Sequence, residues 1–108
     1  MRILLDECID ESLRHAFPGH DCQTSRFAGL KGLSNGRLLA AAEVAGFEVL
    51  LTVDKNLPYQ QSLASRSLAV VILDTPSTTA DVLLRLVPDL LGRLPALVPG
   101  QVLRLTGR

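Results

Sequence analysis

Three acids stand where two apolar runs stop. The stretch Arg2–Leu5 is aliphatic apart from its first residue and ends in Asp6 and Glu7, and the aliphatic stretch 47–53 ends in Asp54. An apolar run that does not alternate with polar residues reads as a strand buried on both faces. In open α/β sheets, ligands bind beyond the carboxyl ends of the strands, where strand order reverses. If the two strands are neighbours, Asp6 and Asp54 meet at such a crevice, with Glu7 on the same rim. Clustered carboxylates repel one another, and a hard divalent cation relieves the repulsion. Mg²⁺ or Mn²⁺ takes oxygen ligands and is commonly held by one or two carboxylates together with substrate phosphate. An ion of this kind activates water and neutralises charge on a phosphodiester. The acids therefore point to phosphoryl chemistry. Each acid alone also has a plainer reading, Asp6 as a cap on the first helix and Asp54 as a cap on the turn before Pro58. No Ser, His and Asp fall into the context of a hydrolytic triad, and His15 and His20 read as surface residues.

The elements that must position these acids follow from pattern. Residues 9–17 place Ile9, Leu13, Ala16 and Phe17 at helical spacing, with Asp10 and Glu11 in the first turn and Pro18-Gly19 as the stop. Residues 20–25 read as a weaker strand near an edge, and 26–33 as a glycine-containing loop. Ser34 or Asn35 caps a second helix that Gly46 ends. Lys55 to Pro58 opens a short helix, 68–73 is a third buried strand, and 101–106 alternates as a final edge strand. Thr78 or Thr79 caps a Leu-rich helical stretch, which Pro88 and Pro95 must kink or divide. Alternation of strands and helices predicts the α/β class, with a mostly parallel sheet of about five strands and helices on its faces. Right-handed crossovers restrict the topology further. The Leu-rich stretch 79–94 is apolar on more than one side, so it supplies either core alone or core plus a homodimer or partner surface.

Composition bounds the rest. The 108 residues suit one domain, and 47% hydrophobic content suffices for one core. Net charge is +0, so any nucleic-acid contact must come from a local patch rather than a basic surface overall. Cys8 and Cys22 form no metal-ligand spacing. MRILLDE lacks the form of a signal peptide, and no apolar run approaches the roughly 20 residues of a bilayer span. The expectation is a cytoplasmic protein with reduced thiols and no membrane association.

Four segments carry a family likeness: LLDE at 4–7, AGLKGLSNGRLL at 28–39, LLTVDKNLPYQQSL at 50–63 and AVVIL at 69–73. Together they resemble the small single-domain PIN-like proteins often encoded in bacterial toxin–antitoxin gene pairs. The likeness spans nearly the whole chain, and its LLTVDKNLPYQQ block is the most specific part. It implies a three-layer α/β/α PIN-like fold and metal-dependent ribonuclease activity on single-stranded RNA, with an antitoxin protein as a further partner. By this resemblance Asp6, Glu7 and Asp54 are the catalytic acids. Asn35 and Asn56 stand where relatives often carry further acids, which leaves Asp6, Asp54, Asn35 and Asn56 as ligands of a weakly bound Mg²⁺ or Mn²⁺. An amide oxygen can coordinate such an ion but cannot balance its charge, so an inactive domain kept for partner binding is the alternative. Lys55, Arg37, Lys31 and Arg26 are candidate phosphate contacts and Tyr59 a candidate base-stacking residue; solvated charge and helix packing are the plain readings. A phosphoacceptor receiver domain is a more distant rival. It shares the acid pair after strand one and the Asp after strand three, but here Arg104, Thr106 and Arg108 stand where a Lys is needed.

Overall fold

A computed structural model describes residues 1–107, Gln60 by its backbone alone; Arg108 lies outside the described residues. Five parallel strands form one sheet in the order β2-β1-β3-β4-β5, where β1 is Arg2–Leu5, β2 Asp21–Thr24, β3 Val49–Thr52, β4 Ala69–Asp74 and β5 Val102–Thr106. A 3-10 helix, Glu11–Ala16, links β1 to β2. Helix α1 (Asn35–Val44) links β2 to β3, and α2 (Leu57–Gln60) links β3 to β4. Helices α3 (Ala80–Leu84) and α4 (Val87–Arg93), then a 3-10 turn over Leu94–Ala96, link β4 to β5.

The non-alternating strands are covered on both faces. Successive strand side chains point to opposite faces, and the core divides accordingly. Ile3, Leu5, Val49, Leu51, Val71 and Leu73 pack with Leu13, Leu83, Val87 and Leu90 in one layer. Leu4, Leu50, Val70 and Ile72 pack with Leu38, Leu39, Ala42 and Leu57 in the other. The fold is a three-layer α/β/α domain.

The first connection is a 3-10 helix rather than an α-helix; Asp10 caps it, its side chain accepting from Ser12 N–H at 2.9 Å. Pro88 and Pro95 each fall in the first turn of a new segment, so the stretch 79–94 is divided rather than kinked. Its apolar residues are turned inward: Leu83, Val87, Leu90 and Leu94 are buried, Val82, Leu86 and Leu91 half-buried, and Leu84 is 41% exposed. Most of the apolar surplus is therefore core, and Leu84 is the apolar residue of this stretch left exposed.

One topological rule is broken. The links β2–β3 and β3–β4 step across the sheet over the α1/α2 face, and β1–β2 steps the other way over the opposite face, which gives all three the same hand. The link β4–β5 steps in the direction of β3–β4 but crosses the opposite face, so it has the opposite hand. Parallel crossovers share one hand almost without exception. On that face α3 and α4 pack with Val71, Leu73 and Leu105 in the layer that also holds Leu13 of the first 3-10 helix.

Candidate functional site

Strand order reverses between β1 and β3, where Ile3 pairs with Val49 and Leu5 with Leu51. Asp6 leaves the end of β1 with its N–H on Leu51 C=O at 2.9 Å, and Asp54 follows β3 by two residues. Between them stands Thr52, with no solvent exposure. Its hydroxyl donates to Asp6 Oδ2 at 2.8 Å and accepts from Asp54 N–H at 3.0 Å. One buried hydroxyl thus ties both strand-end acids together. Cys8 Sγ lies 3.7 Å from the same oxygen. Burial first, and the charge of Asp6 further down, push the Cys8 thiol above its usual value despite the exposure of the residue as a whole.

The remaining carboxylate oxygens are also anchored. Asp6 Oδ1 accepts from Glu7 N–H at 2.8 Å, and Asp54 Oδ1 accepts from Asn56 N–H at 2.9 Å. Asp54 therefore does cap the turn into α2, whereas the cap of the first helix is Asp10 and not Asp6. Asn35, the first residue of α1, donates through Nδ2 to Asp54 Oδ2 at 3.4 Å. Asn56 meets Asp54 through its backbone.

Glu7 departs from the expected three-acid rim. Its carboxylate accepts from Gly32 N–H in the loop before α1, although it still borders a cavity of about 250 Å³ beside Asp6. Lys31 and Arg26 line that cavity as well. Lys55 has turned to Asp74, the last residue of β4, with Nζ 2.9 Å from Oδ1. Arg104, on β5 beside it, donates through Nε to Asp74 Oδ2 at 2.9 Å. Lys55 first, then Arg104, hold the Asp74 carboxyl below its ordinary value. Arg37 is exposed on α1, and Tyr59 is 85% exposed on α2.

The donor set fits a hard cation in part. Asp6 and Asp54 offer four oxygens, each with one hydrogen bond described above, and a carboxylate has about four lone-pair sites. Capacity for a cation remains. Among the described residues, however, no group of three or more His, Cys, Asp and Glu is arranged to hold a metal ion. The site is a two-carboxylate site, with the Asn35 amide against one of them.

Sequence reasoning missed Thr52 and Asp74. The signal for Thr52 was present: it is the one polar residue in VLLT, immediately before the turn to Asp54. Asp74 likewise ends an apolar strand, as Asp6 and Asp54 do, and its two cationic neighbours separate it from them in role. Among the described residues no helix is long and apolar enough to cross a membrane. No protein-family model, no curated protein and no solved structure matches the chain.

Proposed function

We propose that this domain is a PIN-like, metal-dependent ribonuclease, with Asp6 and Asp54 as the residues that hold Mg²⁺ or Mn²⁺. The observation that carries this reading is the buried Thr52 hydroxyl, which fixes both acids at the point where strand order reverses. When bound, the ion would supply positive charge to a phosphodiester and acidify water. The chain's own part is orientation. Thr52 and Glu7 N–H hold the Asp6 carboxylate, and Asn56 N–H and Asn35 hold that of Asp54. With two carboxylates the affinity for the ion is low. Action as the toxin of a toxin–antitoxin pair in the cytoplasm belongs to the same reading.

The test is cleavage of a single-stranded RNA by purified protein with millimolar Mn²⁺. Asp6→Asn is expected to abolish cleavage and the thermal shift produced by Mn²⁺, while Lys55→Gln retains both. Absence of cleavage and of any metal-dependent shift across several RNAs overturns the reading.

One observation favours a second reading, a catalytically inactive binding module. The Asn35 amide occupies an oxygen of Asp54 where a further acid would add charge. In that case the fold and partner binding persist with no metal response. The receiver reading loses support, since Arg104 is paired with Asp74 rather than directed at Asp54.

A further inference from the structure

Adjacent acids at a strand end repel one another when both carboxylates serve one point. At the end of β1 they part. Asp6 meets Thr52, while Glu7 reaches the loop before α1, where its Oε1 accepts from Gly32 N–H across 25 residues of sequence. An N–H donated to a carboxylate makes a charge-assisted bond, stronger than one to a neutral acceptor. Gly32 supplies it with φ of 80°, a left-handed backbone that glycine adopts without strain.

The bond falls between two fastened stretches. Upstream, Ala28 N–H donates to Thr24 C=O at 3.0 Å and Leu30 N–H to Ser25 C=O at 2.8 Å. Downstream, Leu38 N–H donates to Ser34 C=O at 2.7 Å, where α1 opens. Between them Leu33 is half-buried against the α1/α2 layer, and Gly32 N–H ties the backbone to Glu7.

Asn35 stands three residues beyond Gly32, with its Nδ2 3.4 Å from Asp54 Oδ2. That distance is at the far end of the range for such a bond, so the contact depends on where the loop sets the start of α1. The contacts close a ring. Glu7 N–H donates to Asp6 Oδ1, the Thr52 hydroxyl donates to Asp6 Oδ2 and accepts from Asp54 N–H, and Asn35 donates to Asp54. From Asn35 the chain leads back to Gly32 and so to Glu7. The ring joins β1, β3 and α1 at the two strand-end acids.

We propose that Glu7 is a positioning residue of this site and not a ligand in it: its carboxylate latches the loop at Gly32, and the latch sets Asn35 against Asp54. For what the site then does, the proposal rests on the metal-dependent reading above; the latch itself does not.

Glu7→Gln and Glu7→Ala remove the same charge, but Gln keeps an oxygen that accepts from Gly32. The difference between the two variants therefore reads the hydrogen bond. Hydrogen–deuterium exchange of the metal-free protein, resolved by NMR, is the first measurement. Glu7→Ala is expected to speed exchange at Gly32 N–H about ten-fold, with Glu7→Gln close to the wild type. Phe47 N–H, bonded to Ala42 C=O at 3.0 Å beyond the far end of α1, is the control. A general loss of stability would speed its exchange, and loss of the latch leaves it unchanged. The second measurement is Mn²⁺ affinity, read from the electron paramagnetic resonance of the free ion. Glu7→Ala should weaken it about ten-fold relative to Glu7→Gln, the lower end of what losing a group that orients a metal ligand costs. Unchanged exchange at Gly32 in the Ala variant overturns the latch, and so does a Gln variant no better than Ala. Loss of Mn²⁺ binding in the Gln variant with Gly32 still protected makes Glu7 a ligand and overturns the proposal. If the wild-type protein binds no Mn²⁺, the metal-dependent reading falls, while Gly32 protection lost only in the Ala variant keeps the latch.

Discussion

At the scale of single residues, the site turns on a hydroxyl rather than on the acids alone. Thr52 is fully buried, yet its oxygen serves two neighbours, Asp6 Oδ2 and Asp54 N–H. Thr52→Val keeps the shape and removes both hydrogen bonds. Unsatisfied buried groups cost about 1–3 kcal/mol each. Asp6 and Asp54 are only half-buried, so water recovers part of the loss, and about 1–2 kcal/mol in total is expected. Urea denaturation measures it. Thr52→Ser should recover most of the stability and also the response to Mn²⁺, because it restores the oxygen. Equal stability in the Val variant would show that the hydroxyl does not position the acids. Asp6 and Asp54 were legible in the sequence because each breaks an apolar run at a strand end. Thr52 was hidden inside such a run, and its importance depends on a contact 46 residues away along the chain. The fate of Lys55 was not legible either: it stands next to Asp54 in sequence, but its ammonium is drawn to Asp74 on the neighbouring strand.

At the scale of elements, order and type could be read because the signals are local. Non-alternating aliphatic runs gave β1, β3 and β4, and helical spacing with glycine and proline stops gave the segments between them. What escaped depends on which face each segment chooses. Nothing in the residues around 79–94 says that α3 and α4 cross the face opposite α1 and α2, and that choice makes the last crossover differ in hand from the others. It also turns Leu83, Val87, Leu90 and Leu94 of this stretch into core. The return from α4 into β5 passes through Gly100, which donates its N–H to Leu68 C=O at 3.0 Å and has φ of 81°. A Cβ there would lie 2.8 Å from Leu63 C=O and 3.2 Å from Ala64 C=O. Gly29 has a similar φ of 78°, but a Cβ there meets nothing within 4 Å. The pair separates backbone strain from crowding. Gly29→Ala should cost about 1 kcal/mol, the left-handed penalty alone. Gly100→Ala adds a backbone clash and should lower the thermal midpoint clearly further, by at least twice as much. Similar midpoints for the two would mean that the β4–β5 link relaxes freely, contrary to a connection held in place by its packing.

At the scale of the whole molecule, stability should form a plateau with two different edges. Five carboxyls, those of Asp10, Asp21, Glu43, Asp74 and Asp81, sit below their ordinary values. Ser12 is the first cause for Asp10, Gln23 then Arg2 for Asp21, Ser67 for Glu43, Lys55 then Arg104 for Asp74, and Thr79 for Asp81. A lowered carboxyl binds fewer protons in the fold than in the unfolded chain. Its contribution is present above the ordinary values of 3.8 for Asp and 4.5 for Glu, and it is lost as pH falls through the lower folded values. The alkaline edge has the opposite sign. Burial pushes the Cys22 thiol from 9.0 up to about 12, with Asp21 adding to the shift, and Cys8 is raised as well. A raised thiol keeps its proton longer in the fold, so its contribution is complete below 9.0 and is lost as pH rises toward about 12. Thermal midpoints should therefore be highest between about pH 5 and pH 8 and fall on both sides. Salt separates the causes. The acid edge rests in part on exposed charged partners, Lys55 and Arg104 beside Asp74 and Arg2 beside Asp21. Added salt screens that part, while the hydrogen bonds from Ser12, Gln23, Ser67 and Thr79 remain. The alkaline edge rests on desolvation, which salt leaves in place. Cys22→Ala should flatten the alkaline fall whatever it costs at neutral pH, and an alkaline fall unchanged in that variant would assign the edge to other groups.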